Sequence, residues 1–277
     1  DLLIGADLIE EGAGRASEQD REQLLELSQL LRGSESLKVK KQLALDEDLA
    51  RLLFRYPRME DSTRYHRILN ILVERPKARF SSWYEFFPRS CGPDRTHGSF
   101  QDCRNMIEEI ARMGFDVAYL PPIHPIGIEK RKGRNNAVLA SPEDSGSPWA
   151  IGSREGGHKS IHPELGTVEE FRALVEFARD LGVEIALDIA FQCSPDHPYV
   201  REHPEWFRMR PDGTVQYAEN PPKKYDDIYP FDFESKAAEP LWEELKSVIE
   251  FWIEQGVQIF RVDNPHTKSF AFWEWAI

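Results

Sequence analysis

The run Gly256-Val257-Gln258-Ile259-Phe260-Arg261-Val262-Asp263 ends a β-branched stretch in Arg-x-Asp. Side chains alternate along a strand, so Arg261 and Asp263 share one face and Val262 points the other way into packing. A carboxylate at the carboxyl end of a buried parallel strand sits where α/β barrels build their active sites. An adjacent guanidinium favours the charged form of such a carboxylate and fixes its angle. Asp263 therefore reads as a catalytic carboxylate if the preceding chain builds a parallel sheet, and as a strand-end ion pair if it does not. Two basic clusters, Lys130-Arg131-Lys132-Gly133-Arg134 and Lys223-Lys224, stand out in a chain of net charge −13. Composition alone leaves them open as an anion site or as ordinary solvated loops.

The elements that must position these groups are legible from periodicity. Phe80 to Phe87 is an aromatic strand candidate that stops at Pro88. Ser99 and Asp102 resemble a capping box, and Cys103, Met106, Ile107 and Ile110 form an apolar stripe that ends at Gly114. A second strand, 115–120, stops at Pro121-Pro122. Thr167 and Glu170 form another capping box ahead of Phe171, Leu174, Val175 and Ala178, and a third strand covers 183–188. The Pro-rich excursion from Gln192 to about Phe233 is too long for an ordinary connection and is expected to be functional. A helix from about Lys236 to Gln255, with Leu241, Leu245, Val248, Ile249 and Trp252 inward, leads to the fourth strand at 257–262. Four strands alternating with three helices fit a doubly wound sheet or half of a β/α barrel. No glycine-rich phosphate loop follows strand one or two, which counts against the doubly wound sheet.

Ahead of the sheet, residues 1–75 carry leucines at helical spacing: Leu24, Leu27 and Leu31, then Leu45, Leu49, Leu52 and Leu53. Ser62 to Val73 reads the same way, so two or three helices in a small bundle are expected, and Asp1 to Gly14 shows no capping signal. The domain reading is a helical segment at 1–75 and a catalytic part at 76–277 that holds the excursion at 192–233. The acidic balance argues against a nucleic-acid partner, because binding the phosphate backbone requires a positive surface. No apolar run is long enough to span a bilayer and no signal peptide opens the chain, so no membrane partner and a cytoplasmic address are expected. Cys91, Cys103 and Cys193 are an odd set without metal-like spacing and read as free thiols.

Ile161-His162-Pro163-Glu164-Leu165-Gly166-Thr167, then Leu187-Asp188, then Phe260-Arg261-Val262-Asp263 with His266, resemble in order the landmarks of the α-amylase family of retaining glycosidases. That family usually has Asn-His where this chain has Gln192-Cys193. The departure, together with Arg131 to Asn136, Gln192 to Pro198, Pro222-Lys223-Lys224-Tyr225, Asn264-Pro265-His266-Thr267-Lys268 and Phe272-Trp273-Glu274-Trp275, is similar to a narrower family. These are the α-1,4-glucan:maltose-1-phosphate maltosyltransferases. The resemblance covers residue 79 to the end, and the helical segment accords with extra helices ahead of the barrel.

The resemblance implies an α/β fold, a partial (β/α)8 barrel of the first four strands preceded by a small helical segment. It makes Asp263 the nucleophile of a retaining transfer, Arg261 its orienting partner, and Asp188 a structural and substrate-contacting carboxylate. It places Lys132, Asn136, Gln192, Lys223, Tyr225 and Asn264 around a sugar-phosphate donor, and favours phosphate binding for the basic clusters. The implied substrates are α-maltose 1-phosphate and an α-1,4-glucan acceptor, extended at its non-reducing end. It further implies a homodimer at full length and no cofactor; the α-amylase family often uses calcium, but this chain lacks the usual Asn after strand three, so no required metal is expected. The general acid and third carboxylate of the family come from strands five and seven, beyond Ile277, so the chain reads as a fragment that is inactive alone. An α-glucan hydrolase and a non-catalytic glucan-binding fragment are the rival readings. Glu85, Trp83 and Tyr84 read as scaffold, His197 as a loop hydrogen-bonder, and His158 or His162 as candidates to touch a sugar hydroxyl.

Overall fold

The computed structural model describes residues 1–60 and 62–277 and divides into two compact units, Asp1–Val73 and Glu74–Ile277. The first unit holds α1 (Leu2–Ala13), α2 (Glu18–Arg32), α3 (Leu37–Ala44) and α4 (Glu47–Phe54). Ala6, Ile9 and Ala13 recur at helical spacing on α1 and are buried in one cluster with Leu24, Leu31, Leu49 and Leu52. The opening residues are thus a packed helix, although they carry no side-chain cap. Ser17, Ser36 and Asp46 cap the other three helices through their side-chain oxygens. The helix expected at 62–73 does not form. Ile68, Leu69, Ile71, Leu72 and Val73 stay exposed, and a short helix without a buried face is marginal.

The second unit opens with the short α5 (Pro76–Arg79) and is built on one parallel sheet. Its strands are β1 (Trp83–Glu85), β2 (Val117–Leu120), β3 (Glu184–Ile189) and β8 (Ile259–Val262), in the order β1-β2-β3-β8. The four expected strands are present, parallel and adjacent, each shorter than or shifted from its predicted run. Between them lie α6 (Cys103–Met113), α7 (Val168–Asp180) and α9 (Ala238–Glu254). Gly114, at φ 84°, closes α6 in the left-handed conformation that glycine adopts without a Cβ clash. Thr167 and Glu170 close the N-terminus of α7 as a reciprocal capping box.

Alternation sorts the sheet into two faces. Ala118, Leu120, Ile185, Leu187 and Ile189 pack with Ile107, Ile110, Phe171, Leu174, Leu245 and Trp252 of the three helices in the main core. Burying each of the larger of these side chains is worth roughly 1.5–3 kcal/mol. Val117, Tyr119 and Ala186, with Ile259 beside them, form a second, smaller cluster on the opposite face. By the same period of two, Asp188, Arg261 and Asp263 belong to that second face, and Asp188 is in register with Arg261. The excursion after β3 is not coil. It forms β4 (Gln192–Cys193), α8 (Pro198–Glu202), β5 (Ala218–Asn220), β6 (Lys223–Tyr225) and β7 (Tyr229–Pro230), with β4 antiparallel to β7 and β5 to β6. After β8 comes α10 (Phe270–Ala276).

Candidate active site

The carboxyl ends of β3 and β8 bring three charged groups together. One guanidinium nitrogen of Arg261, Nη1, donates to Asp188 Oδ2 at 3.1 Å and to Asp263 Oδ1 at 2.8 Å. Asp188 is wholly buried, and its Oδ2 also accepts from the Tyr119 hydroxyl and from Trp149 Nε1. Its Oδ1 has no hydrogen-bond partner. Burial raises its pKa to about 6, against the pull of Tyr119 and Arg261, with the Asp263 charge adding to the rise. Asp188 was expected to be structural and to contact substrate; Tyr119, Trp149 and Arg261 surround its Oδ2, and it anchors the arginine.

Asp263 is placed differently. Its main-chain N–H is held by the carbonyl of Ile189 at 2.9 Å, and its Oδ2 accepts from Asn264 Nδ2 at 3.0 Å. Asn264 occupies the left-handed region at φ 44°, which asparagine tolerates better than most residues. Asp263 and Asn264 line a cleft of about 890 Å³ together with Lys132, Asn136, Gln192 and Tyr225. Six of the expected site residues therefore share one cavity, whose walls come from the β2 and β3 connections. Gln192 is held there by its amide donating to the Trp149 carbonyl at 3.2 Å. Lys223, on the β5–β6 hairpin, is exposed and is not among the lining residues.

The basic cluster after β2 resolves into separate roles. Arg131 donates to the main-chain carbonyls of Gly127, Ile126 and Asp144, a scaffold role. Lys130 donates to the Tyr229 hydroxyl. Lys132 reaches the cleft, where it forms an ion pair with Asp226. Glu85 is exposed and lies outside the cleft lining, as its scaffold reading implies.

His266 lines this cleft, whereas His158, His162 and His197 do not. His197 Nδ1 accepts from the Tyr199 N–H, and its Nε2 lies 3.1 Å from His158 Nδ1. His158 Nε2 faces the Ala190 carbonyl at 3.0 Å. These partners fix one neutral arrangement, with His197 Nε2–H donating to His158 and His158 Nε2–H donating to the carbonyl. Burial lowers His158 to about 4 and His197 well below the usual histidine range. The His197 ring also packs on Gly152 and Gly157, where a Cβ would come within 2.1 and 2.2 Å of it. His158, Cys193 and His197 bring possible ligand atoms within 4.8 Å of one another, but the ring nitrogens are already engaged. His162 stacks on His97 and lines a separate small pocket. Neither His158 nor His162 is placed to meet a sugar at Asp263.

The partners of Asp188 were not anticipated from the sequence. Tyr119 and Trp149 lie 69 and 39 residues away. The one available signal was the alternation that places Tyr119 on the same face as Asp188.

A pH prediction follows from the Asp188 shift. Its ordinary value is 3.8 and its folded value is about 6. Between these the folded chain holds the extra proton, so the contribution of this group to stability falls as pH rises from about 4 to about 6. Asp188→Asn should flatten that fall in the urea midpoint of the whole protein. An unchanged pH dependence over the window would contradict the assignment.

No family model matches the chain. Its fold is similar to an α-amylase from Lactobacillus plantarum, with TM-score 0.57 and 30% identity over 71% of this chain and 41% of that one. It is also similar to the maltogenic α-amylase AmyB of Thermotoga neapolitana, with TM-score 0.56 and 28% identity over 71% and 42%. The sheet, the Arg-x-Asp strand end and this likeness define part of a β/α barrel of the α-amylase type. The chain is 57% identical to the α-1,4-glucan:maltose-1-phosphate maltosyltransferase of Chlorobaculum tepidum, and 58% and 53% identical to those of Methylacidiphilum infernorum and Mycolicibacterium smegmatis. Each match covers the whole of this chain and 40–41% of the relative. Over its whole length the chain is thus similar to the α-1,4-glucan:maltose-1-phosphate maltosyltransferases, and it spans about two-fifths of the length of these curated relatives.

Proposed function

We propose that the whole protein containing this chain transfers maltosyl units from α-maltose 1-phosphate to the non-reducing end of α-1,4-glucans, through a covalent intermediate on Asp263. The observation that carries the reading is Asp263 held between Arg261 and Asn264 at the wall of a cleft that Lys132 also lines. In the first step an Asp263 oxygen bonds to the anomeric carbon as the bond from that carbon to the phosphate oxygen breaks. Phosphate leaves with the electron pair. In the second step a glucan hydroxyl attacks the same carbon, gives up its proton to a base, and the Asp263 carboxylate is restored. Two inversions leave the α configuration unchanged.

Asp188 and Tyr119 hold Arg261, and Arg261 and Asn264 hold the two oxygens of Asp263. Lys132, paired with Asp226 in the free protein, would exchange that carboxylate for the phosphate dianion. The acid that assists phosphate departure is assigned to the part of the whole protein that this chain does not span, so the 277-residue chain by itself is expected to release no phosphate. Three unpaired thiols accord with a reducing compartment, and we place the protein in the cytoplasm. Among the described residues no helix is long and apolar enough to cross a membrane. A homodimer is expected from the resemblance and is checked by light scattering on the whole protein.

The reading is tested by incubating the whole protein with α-maltose 1-phosphate and a maltooligosaccharide. One phosphate released per two glucose units added to the acceptor is expected. Reducing sugar released without acceptor growth would instead favour the hydrolase reading. The phosphate contact has its own test. Lys132→Ala removes a charge-assisted hydrogen bond and should lower kcat/KM for the sugar phosphate roughly 10- to 150-fold. Maltosyl fluoride, with no phosphate to neutralise, should lose much less. Lys223→Ala should have the smaller effect on the sugar phosphate, since Lys223 is exposed and outside the cleft lining. Equal losses with both donors would show that Lys132 only shapes its loop.

A further inference from the structure

Lys268 is a buried lysine, 8% exposed, whose ammonium makes no ion pair with a carboxylate among the described residues. It donates instead to two neutral oxygens, the main-chain carbonyl of Asp263 at 3.2 Å and Thr267 Oγ1 at 3.0 Å. Lysine is almost never buried unless paired, because desolvating an ammonium is costly. A fold that keeps one here, lining the same cleft as Asp263, retains it against that cost. Its contacts show what it holds. Residues 263–268 form a closed turn in which the Thr267 hydroxyl donates to the Asn264 carbonyl at 2.8 Å and the Lys268 N–H to the Pro265 carbonyl at 3.2 Å. Inside the turn Asn264 is in its left-handed conformation, and that conformation aims Nδ2 at Asp263 Oδ2. Lys268 ties the far end of the turn to the carbonyl of the carboxylate it follows.

We propose that Lys268 is a positioning residue for Asp263. Its charged ammonium pins the Asp263 carbonyl, fixes the left-handed Asn264 turn, and so sets the angle at which the carboxylate meets the anomeric carbon. This role rests on the maltosyl transfer proposed above. Hydrogen bonds from an ionised donor are about twice as strong as neutral ones, so the pin weakens when the proton is lost. Burial lowers the Lys268 pKa to about 8, with the charges of Asp263 and Asp188 opposing the shift. The charged and titratable groups around it are Asp188 and Arg261 at the ends of β3 and β8, Asp263 and His266 in its own turn, and Lys132, Tyr217, Glu219, Tyr225 and Asp227 along the cleft.

Two consequences separate this from a purely structural lysine. The free-enzyme profile, kcat/KM against pH, should fall above about 8 in the whole protein. Stability should move the other way: the folded value lies below the unfolded one, so the contribution of Lys268 to stability rises as pH passes from about 8 to about 10.4.

The experiment compares the wild type with Lys268→Met and Lys268→Gln in the whole protein, using α-maltose 1-phosphate and a maltooligosaccharide. Lys268→Met is expected to lower kcat roughly 10- to 100-fold with little change in KM. It should lose the alkaline limb near 8, with no fall in Tm to account for the loss. Lys268→Gln, which keeps a neutral donor, should fall between the two and also lack the limb. Wild-type kcat in both variants, the same alkaline limb in both, or a kcat loss that tracks a fall in Tm would each overturn the role. A wild type that releases no phosphate from the donor overturns the transfer reading and this role with it. Normal release with indifferent variants overturns the role of Lys268 alone.

Discussion

Asp263→Ala in the whole protein is expected to lower kcat by roughly 10⁴-fold or more, because in the proposed transfer it removes the atom that bonds to the anomeric carbon. Arg261 Nη1 and Asn264 Nδ2, which now hold the two carboxylate oxygens, would keep their places without a nucleophile between them. Donor binding should survive, since Lys132, Asn136, Gln192 and Tyr225 line the cleft independently of Asp263. The expected signature is therefore a collapse of kcat with Kd for α-maltose 1-phosphate changed by no more than a few-fold. Asp263→Asn should behave similarly, as an amide keeps the shape and loses the nucleophile. Stopped-flow phosphate release and calorimetric donor binding check the two halves. A kcat within 100-fold of wild type would mean that another group forms the intermediate.

Arg261→Met is expected to cost both stability and rate. A single guanidinium nitrogen bridges Asp188 and Asp263, so its removal leaves a wholly buried carboxylate without a cation and a second carboxylate beside it. Stranding a buried charge costs about 3–5 kcal/mol, and the partial exposure of Arg261, 39% of its side chain, brings the expected loss down to about 2–3 kcal/mol. Asp188 should respond by holding its proton to higher pH than the present value of about 6. The double variant Asp188→Asn, Arg261→Met should then lose less stability than the two single changes added together, because the stranded charge is gone. Urea midpoints at pH 7 for the four proteins close the cycle. Additive losses would show that the arginine acts on Asp263 alone.

The parts of this fold that could be read from the sequence are those whose signal is local. The four parallel strands announce themselves by short aromatic or aliphatic runs, and α7 by the Thr167–Glu170 box. Gly114 marks the end of α6 because its positive φ requires a residue without a Cβ clash. Asp263 and Arg261 were legible for the same reason, as two residues two apart on a strand must share a face. The roles proposed for them, nucleophile and orienting partner, came from the resemblance. What escaped was non-local. Nothing near Asp188 says that Tyr119 and Trp149 will enclose it, or that Asp226 will meet Lys132 across 94 residues of chain. The same limit explains 62–73, where apolar residues suggested a helix and no buried face forms to support one. Lys268 could be placed only when its burial and its contact with the Asp263 carbonyl were seen.

The central claim is a covalent maltosyl intermediate on Asp263, and the most direct measurement is its capture. The whole protein is incubated with a fluorinated maltosyl fluoride that forms the glycosyl-enzyme and turns over slowly, then digested with trypsin and examined by mass spectrometry. The account predicts one added fluoromaltosyl group per chain, on the peptide of residues 262–268 and localised to Asp263, and no label in Asp263→Ala. A label on any other carboxylate, or inactivation without a covalent adduct, would contradict it.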